Sequence, residues 1–185
     1  MSVVNVFFAD GFEEIEALTV VDLLRRVNIK TNMVSVTGNL KIAGGHGIDI
    51  TADVLFEDCE EADMIVLPGG LKGTNTLKAH EGLKKMIIDY KEKNKYLAAI
   101  CAAPTVYGAM GILKDRKACC YPGMEDELNC GEALMDDIVI DDKFITSRGA
   151  GTAMKFALAL IGILENEETA RKLADGIVYS IEEEA

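Results

Sequence analysis

This sequence predicts an α/β fold of the flavodoxin-like, doubly wound kind, with a mostly parallel sheet and helices on both faces. Three observations carry that expectation. Short apolar runs alternate with longer segments of helical period. The runs are nearly continuous in apolar residues, as strands buried on both faces require. The 185 residues, 49% of them hydrophobic, suffice for one substantial core. With no repeat, low-complexity tract or Pro/Ser-rich linker, residues 1–185 read as one domain.

The elements follow in order. VVNVFFA (3–9) reads as a buried strand, and from Glu13 to Val27 the residues Ile15, Leu18, Val21 and Leu24 recur at helical spacing. TNMVSVT (31–37) is a second strand, and GNLKIAGGHGIDI (38–50) a glycine-turned hairpin. ADMIVLPGG (62–70) is a buried strand entering a proline-glycine turn, EGLKKMIIDYKEKN (81–94) an amphipathic helix, and YLAAI (96–100) the next strand. A helix follows Cys101. Cys119 and Cys120 read as strand thiols, and DIVIDDKFITS (137–147) as a hairpin turned at Asp141–Asp142. Two helices, near 151–164 and 167–180, close the sequence.

Composition narrows the function. The net charge is −12 with no basic stripe, so nucleic acid is not an expected partner. No apolar stretch approaches the roughly 18 residues of a membrane span, and the opening segment lacks a basic n-region. The expectation is a cytoplasmic protein. Five cysteines without C-x-x-C spacing read as free thiols, and with only His46 and His80 no metal site is expected.

Cys101 stands out. The strand ends at Ile100, a helix can begin at Ala102 or Ala103, and Pro104 suits its first turn. Small neighbours at Ala98, Ala99, Ala102 and Ala103 permit a sharp strand-to-helix turn, the geometry of a nucleophile elbow. A helix amino terminus there is expected to lower the thiol pKa below about 8.5. Its N–H groups, with those of Gly69 and Gly70, would cradle an oxyanion. From spacing alone a reactive thiol and a packed one stay equally open. Among the acids after the first strand, Glu13 and Glu14 suit the positive end of a helix. Glu16 need not share their solvated face, and would point at the sulfur if the first strand and the Cys101 strand were neighbours.

Four stretches in order, ADGFEEIEALTVVDLLRR, VLPGG, AAICAAPTVYGAMGIL and ITSRGAGTAMKFALALI, resemble the ThiJ/PfpI superfamily. The likeness is greatest to the branch of the parkinsonism-associated protein deglycase and its bacterial relatives. The resemblance implies that Cys101 is a nucleophilic, easily oxidised cysteine and Glu16 the acid bonded to it. It implies that Gly70 and Ala102 supply oxyanion-pocket N–H groups, and that the protein is a homodimer with the first helix at the interface. It further implies glyoxalase or deglycase chemistry without metal or organic cofactor, on small reactive aldehydes or glycated protein side chains. A glutamate beside a thiolate should keep its proton and donate it to sulfur, which would favour oxidation stopping at the sulfinate.

One departure stands out. The family often carries a histidine where this sequence has Tyr121, in CCYP, a residue that would at most donate a hydrogen bond. His46 falls instead in the hairpin, either a surface-turn residue or one that reaches a partner subunit's site. Arg148 is either a strand-end charge or an anion-binding group, and Cys120 a resolving thiol if geometry allows. Three functions remain. The first is a glyoxalase/deglycase, the second a non-enzymatic redox sensor or chaperone-like protector. The third and least supported, for want of a Cys–His base, is a cysteine peptidase or amidase.

Overall fold

The computed structural model describes residues 2–180. The first half contains β1 (Val3–Phe8), α1 (Glu14–Arg26), β2 (Lys30–Ser35), a hairpin of β3 (Lys41–Ala43) and β4 (Asp49–Thr51), and β5 (Val54–Leu55). It continues through β6 (Met64–Leu67), α2 (Leu71–Ala79), α3 (Glu81–Glu92), β7 (Tyr96–Ile100) and α4 (Pro104–Ala109). The rest comprises β8 (Lys117–Ala118), β9 (Glu132–Ala133), β10 (Ile138–Asp141), β11 (Phe144–Ser147), α5 (Ala153–Leu164) and α6 (Glu167–Gly176).

Seven strands form the main sheet in the order β10-β11-β7-β6-β1-β2-β5. Every pairing is parallel except the antiparallel edge pair β10–β11. Strand alternation divides the apolar side chains between two cores. Val4, Val6, Phe8, Val66, Ala98 and Ile100 pack with α1, α5 and α6. Phe7, Ile65, Leu67, Leu97 and Ala99 pack with α2, α3 and α4. Both sheet faces are thus covered, which is why the strands read as continuous apolar runs. The chain leaves β1 toward β2 on one side and toward β6 and β7 on the other. The carboxyl ends of β1 and β6 therefore flank the point where winding reverses, where sites form in such sheets.

The structure corrects several sequence expectations. Strand β6 lies between β1 and β7, so the first strand and the Cys101 strand are not neighbours. The final hairpin turns at Asp142–Lys143, because Asp141 pairs with Phe144 and Asp142 takes the positive φ of 56°. Cys119 and Cys120 lie just beyond the short β8, buried but outside any strand. The last helix stops at Gly176, ahead of Val178 at φ 59°. Helix α2 has no counterpart in the sequence expectation. Its good helix formers are interrupted by Gly73, Thr74, Asn75 and Thr76, and its buried face of Gly73, Thr74 and Leu77 holds it through packing.

Candidate active site

Strand β7 delivers Cys101 into the left-handed backbone region, φ 65°, where a non-glycine residue is strained. The turn is pinned on both sides. The Cys101 N–H donates to Ser147 O at 3.0 Å, and its carbonyl accepts from Tyr121 N–H at 2.8 Å. Ala102 and Ala103 are buried behind it, and Pro104 opens α4. The N–H groups of Ala102 and Gly70 are directed at the sulfur.

Glu16 reaches the same point from the first turn of α1, and its side chain is 1% exposed. The Glu13 carboxylate caps this helix by accepting from Glu16 N–H at 2.7 Å, which fixes where the Glu16 side chain starts. Gly69 N–H donates to Glu16 Oε2 at 2.9 Å, and the carboxyl group is hydrogen-bonded to the Cys101 thiol. Gly69 is the wall between the two reactive groups. A Cβ on it would lie 2.5 Å from Glu16 Oε2 and 2.6 Å from Cys101 Cβ, so only glycine fits. Gly70 follows at φ 86°, also a glycine position, and its N–H faces the sulfur. The intervening strand β6 thus brings acid and thiol together through its terminal turn.

Burial first, then the charge of Glu13, pushes the Glu16 carboxyl up to about 7, against the opposing pull of the Cys101 and Gly69 hydrogen bonds. Burial, followed by the charge and hydrogen bond of Glu16, pushes the Cys101 thiol up to about 12. This overturns the expectation of a lowered thiol pKa. Helix α4 has only six residues and begins three positions after the sulfur. The Ala102 and Gly70 N–H groups do favour the thiolate, but less than burial and the neighbouring carboxylate oppose it. Groups so coupled lose protons as a pair, so near neutral pH one proton is shared between carboxyl and sulfur. The arrangement can deliver a thiolate with an acid beside it, or a thiol with a base beside it.

The sequence profile of the DJ-1/PfpI family matches residues 2–163. The chain belongs to the DJ-1/PfpI family. It is 37% identical over 174 residues to Protein DJ-1 homolog B of Arabidopsis thaliana, covering 92% of this chain and only 40% of that protein. It is 34% identical over 165 residues to the Glutathione-independent glyoxalase DJR-1.2 of Caenorhabditis elegans, covering 87% of each. Among solved structures, oxidised Toxoplasma gondii DJ-1 superposes with a TM-score of 0.95 at 33% identity, covering 98% of this chain and 100% of that one.

The other residues singled out in the sequence are placed as follows in this DJ-1/PfpI protein. Tyr121 stands at the rim, 52% exposed, with its ring against Gly149. Arg148 donates to Met135 O at 3.2 Å, tying its loop down. Cys120 donates to Tyr121 O at 3.5 Å and packs in the α2–α4 core, whereas Cys101 packs against the α1–α5 core. His46 lies in the exposed β3–β4 turn, with Nδ1 2.7 Å from Glu14 Oε2. His80 caps α3, its Nδ1 accepting from Leu83 N–H at 3.0 Å. The sequence reading missed Glu14. Taken for a solvated first-turn acid, it is 4% exposed and accepts from His46 N–H at 2.6 Å. Nothing in the GFEEIE pattern distinguishes it from Glu13, because the turn that buries it lies some thirty residues away.

Proposed function

We propose that the protein converts small α-oxoaldehydes to 2-hydroxy acids at Cys101, with Glu16 moving the protons. The observation that carries this reading is the buried Glu16 carboxyl, hydrogen-bonded to the Cys101 thiol and pushed up to about 7, which suits an acid/base group near neutral pH. The sulfur attacks the aldehyde carbon, and its proton passes by way of Glu16 to the carbonyl oxygen, giving a hemithioacetal. Glu16 then takes the proton from that carbon and the neighbouring ketone carbon receives one, leaving a thioester. Water cleaves the thioester, releasing the hydroxy acid and restoring the thiol. One carbon is oxidised and its neighbour reduced, so the sequence balances without an external electron carrier.

The glyoxalase name of the Caenorhabditis elegans relative supports this class of reaction. The same attack extends to adducts of these aldehydes on protein side chains. The test is methylglyoxal consumption with lactate measured. Wild type should turn over, Cys101→Ser should not, and Glu16→Gln should lose most of the rate. Equal turnover by Cys101→Ser would sink the proposal.

A second reading, redox sensing, draws on the same cradle. The Ala102 and Gly70 N–H groups and a protonated Glu16 are placed to bond the oxygens of a Cys101 sulfinate. Absence of turnover together with clean sulfinate formation under peroxide would favour it. Peptidase chemistry is the weakest reading, since both histidines are engaged elsewhere. The proposal includes a cytoplasmic homodimer through α1. Ile15, on that helix, is 57% exposed and offers apolar surface for it. Light scattering on the purified chain tests the dimer.

A further inference from the structure

We propose that Glu13, Glu14 and His46 form a binding site for a first-row divalent cation of the Zn²⁺ or Co²⁺ class, distinct from the Cys101 thiol. One oxygen from each carboxylate and a ring nitrogen of His46 all lie within 4.8 Å of one another. His46 Nδ1 is 2.7 Å from Glu14 Oε2 and 4.0 Å from Glu13 Oε1. A metal with ligand bonds of about 2.0–2.2 Å needs only small movements to sit among three such atoms.

The division of labour within each carboxylate argues for a built site. Glu13 uses Oε2 to cap α1 at Glu16 N–H and leaves Oε1 toward His46. Glu14 uses Oε1 to accept from the N–H of His46 at 2.6 Å and leaves Oε2 toward the ring. Each acid is thus anchored by backbone through one oxygen and presents the other, the arrangement by which outer partners orient metal ligands. Glu14 is 4% exposed, so its charge sits where a cation would be worth more than in water. The partial positive end of α1 opposes a cation, but it amounts to about half a charge against two carboxylates.

His46, whose side chain is exposed, also lines an adjoining cavity of about 370 Å³ with Gly44, Gly45, Gly70 and Lys72. The cavity leaves room for waters to complete a coordination shell. An imidazole with two carboxylates suits borderline first-row ions, whereas a soft ion would prefer the cysteines.

The test is titration of the metal-free full-length chain with Co²⁺, followed by absorption and calorimetry. Expected is one equivalent bound with weak visible bands and no thiolate charge-transfer band, displaced by Zn²⁺. His46→Gln and Glu13→Gln should each weaken binding by about tenfold or more. His46 is exposed and Gln preserves the cap acceptor at Glu13, so both variants should keep the wild-type circular dichroism spectrum. No binding, a thiolate band, or unchanged affinity in either folded variant would overturn the site.

Discussion

Glu16 and Cys101 meet across Gly69, where the carboxylate strengthens the thiol's hold on its proton while the thiol's hydrogen bond weakens the carboxyl's hold on its own. Two buried groups that would both be anionic cannot both ionise near neutral pH. Once the first proton is lost the pair keeps the second mainly on sulfur, and a reactive thiolate forms when that proton passes to the adjacent carboxyl group. Reactivity is then set by the carboxyl as much as by the sulfur.

Glu16→Gln should accordingly lower the Cys101 pKa. Of the three causes that push the thiol up, two come from Glu16, while burial and the opposing Ala102 and Gly70 N–H groups remain. A fall of one pKa unit would speed alkylation at pH 8 by about tenfold. Iodoacetamide labelling of Cys101 against pH, read by mass spectrometry, measures this. A profile identical in both proteins would mean that burial alone governs the sulfur.

The same pair predicts how stability depends on pH. The folded chain holds the Glu16 proton to about 7, against an ordinary 4.5. Below pH 4.5 both folded and unfolded states carry that proton, and the group costs nothing. As pH rises, the unfolded chain releases it first, so stability falls until the folded pKa is passed, by a total on the order of 3 kcal/mol. Glu16→Gln lacks this slope. Thermal melts at pH 5 and pH 8 should show the variant gaining on wild type as pH rises, at roughly 2–4 °C of Tm per kcal/mol. A pH-independent gap between the two would contradict the raised carboxyl.

Gly69→Ala should damage fold and site together. Its methyl group would meet Glu16 Oε2 at 2.5 Å and Cys101 Cβ at 2.6 Å; the second is fixed to the backbone, and the first could give way only by leaving its bond from Gly69 N–H. Overpacking of this kind costs about 1–3 kcal/mol. Urea unfolding should show that loss, and Cys101 labelling should lose its dependence on Glu16. Wild-type behaviour in both assays would show that the acid and thiol do not meet through this wall.

Much of this site was legible in the sequence because it depends on local chemistry. The apolar run ending at Ile100, the alanines and Pro104 mark a strand-to-helix turn without any tertiary information. Glu16 was legible as an acid off the solvated face, but the reason offered for its reach was wrong, since β6 separates β1 from β7. Gly69 is what closes the gap, and its role depends on strand order, which periodicity does not report. The thiol pKa was misjudged for a related reason. A helix start is readable from Pro104, whereas the depth of burial around the sulfur follows from packing of the whole sheet. Helix α2 and the burial of Glu14 escaped on the same ground, being held by contacts distant in sequence.

The backbone at Cys101 gives the last prediction. A φ of 65° is strained for any residue with a Cβ, and glycine takes it freely. Cys101→Gly and Cys101→Ala both remove the sulfur, so their difference isolates the backbone. Strain relief favours the glycine variant, while its greater freedom in the unfolded chain offsets part of that gain. The net expectation is a glycine variant more stable than the alanine variant by about 1 kcal/mol in urea unfolding. An alanine variant equal or superior in stability would show that the turn relaxes once the thiol is gone. If glycine is the better fit, then the cysteine is kept at a cost to the fold. That would favour the reactive thiol over the packed one, because a thiol retained for packing has no reason to occupy a strained turn.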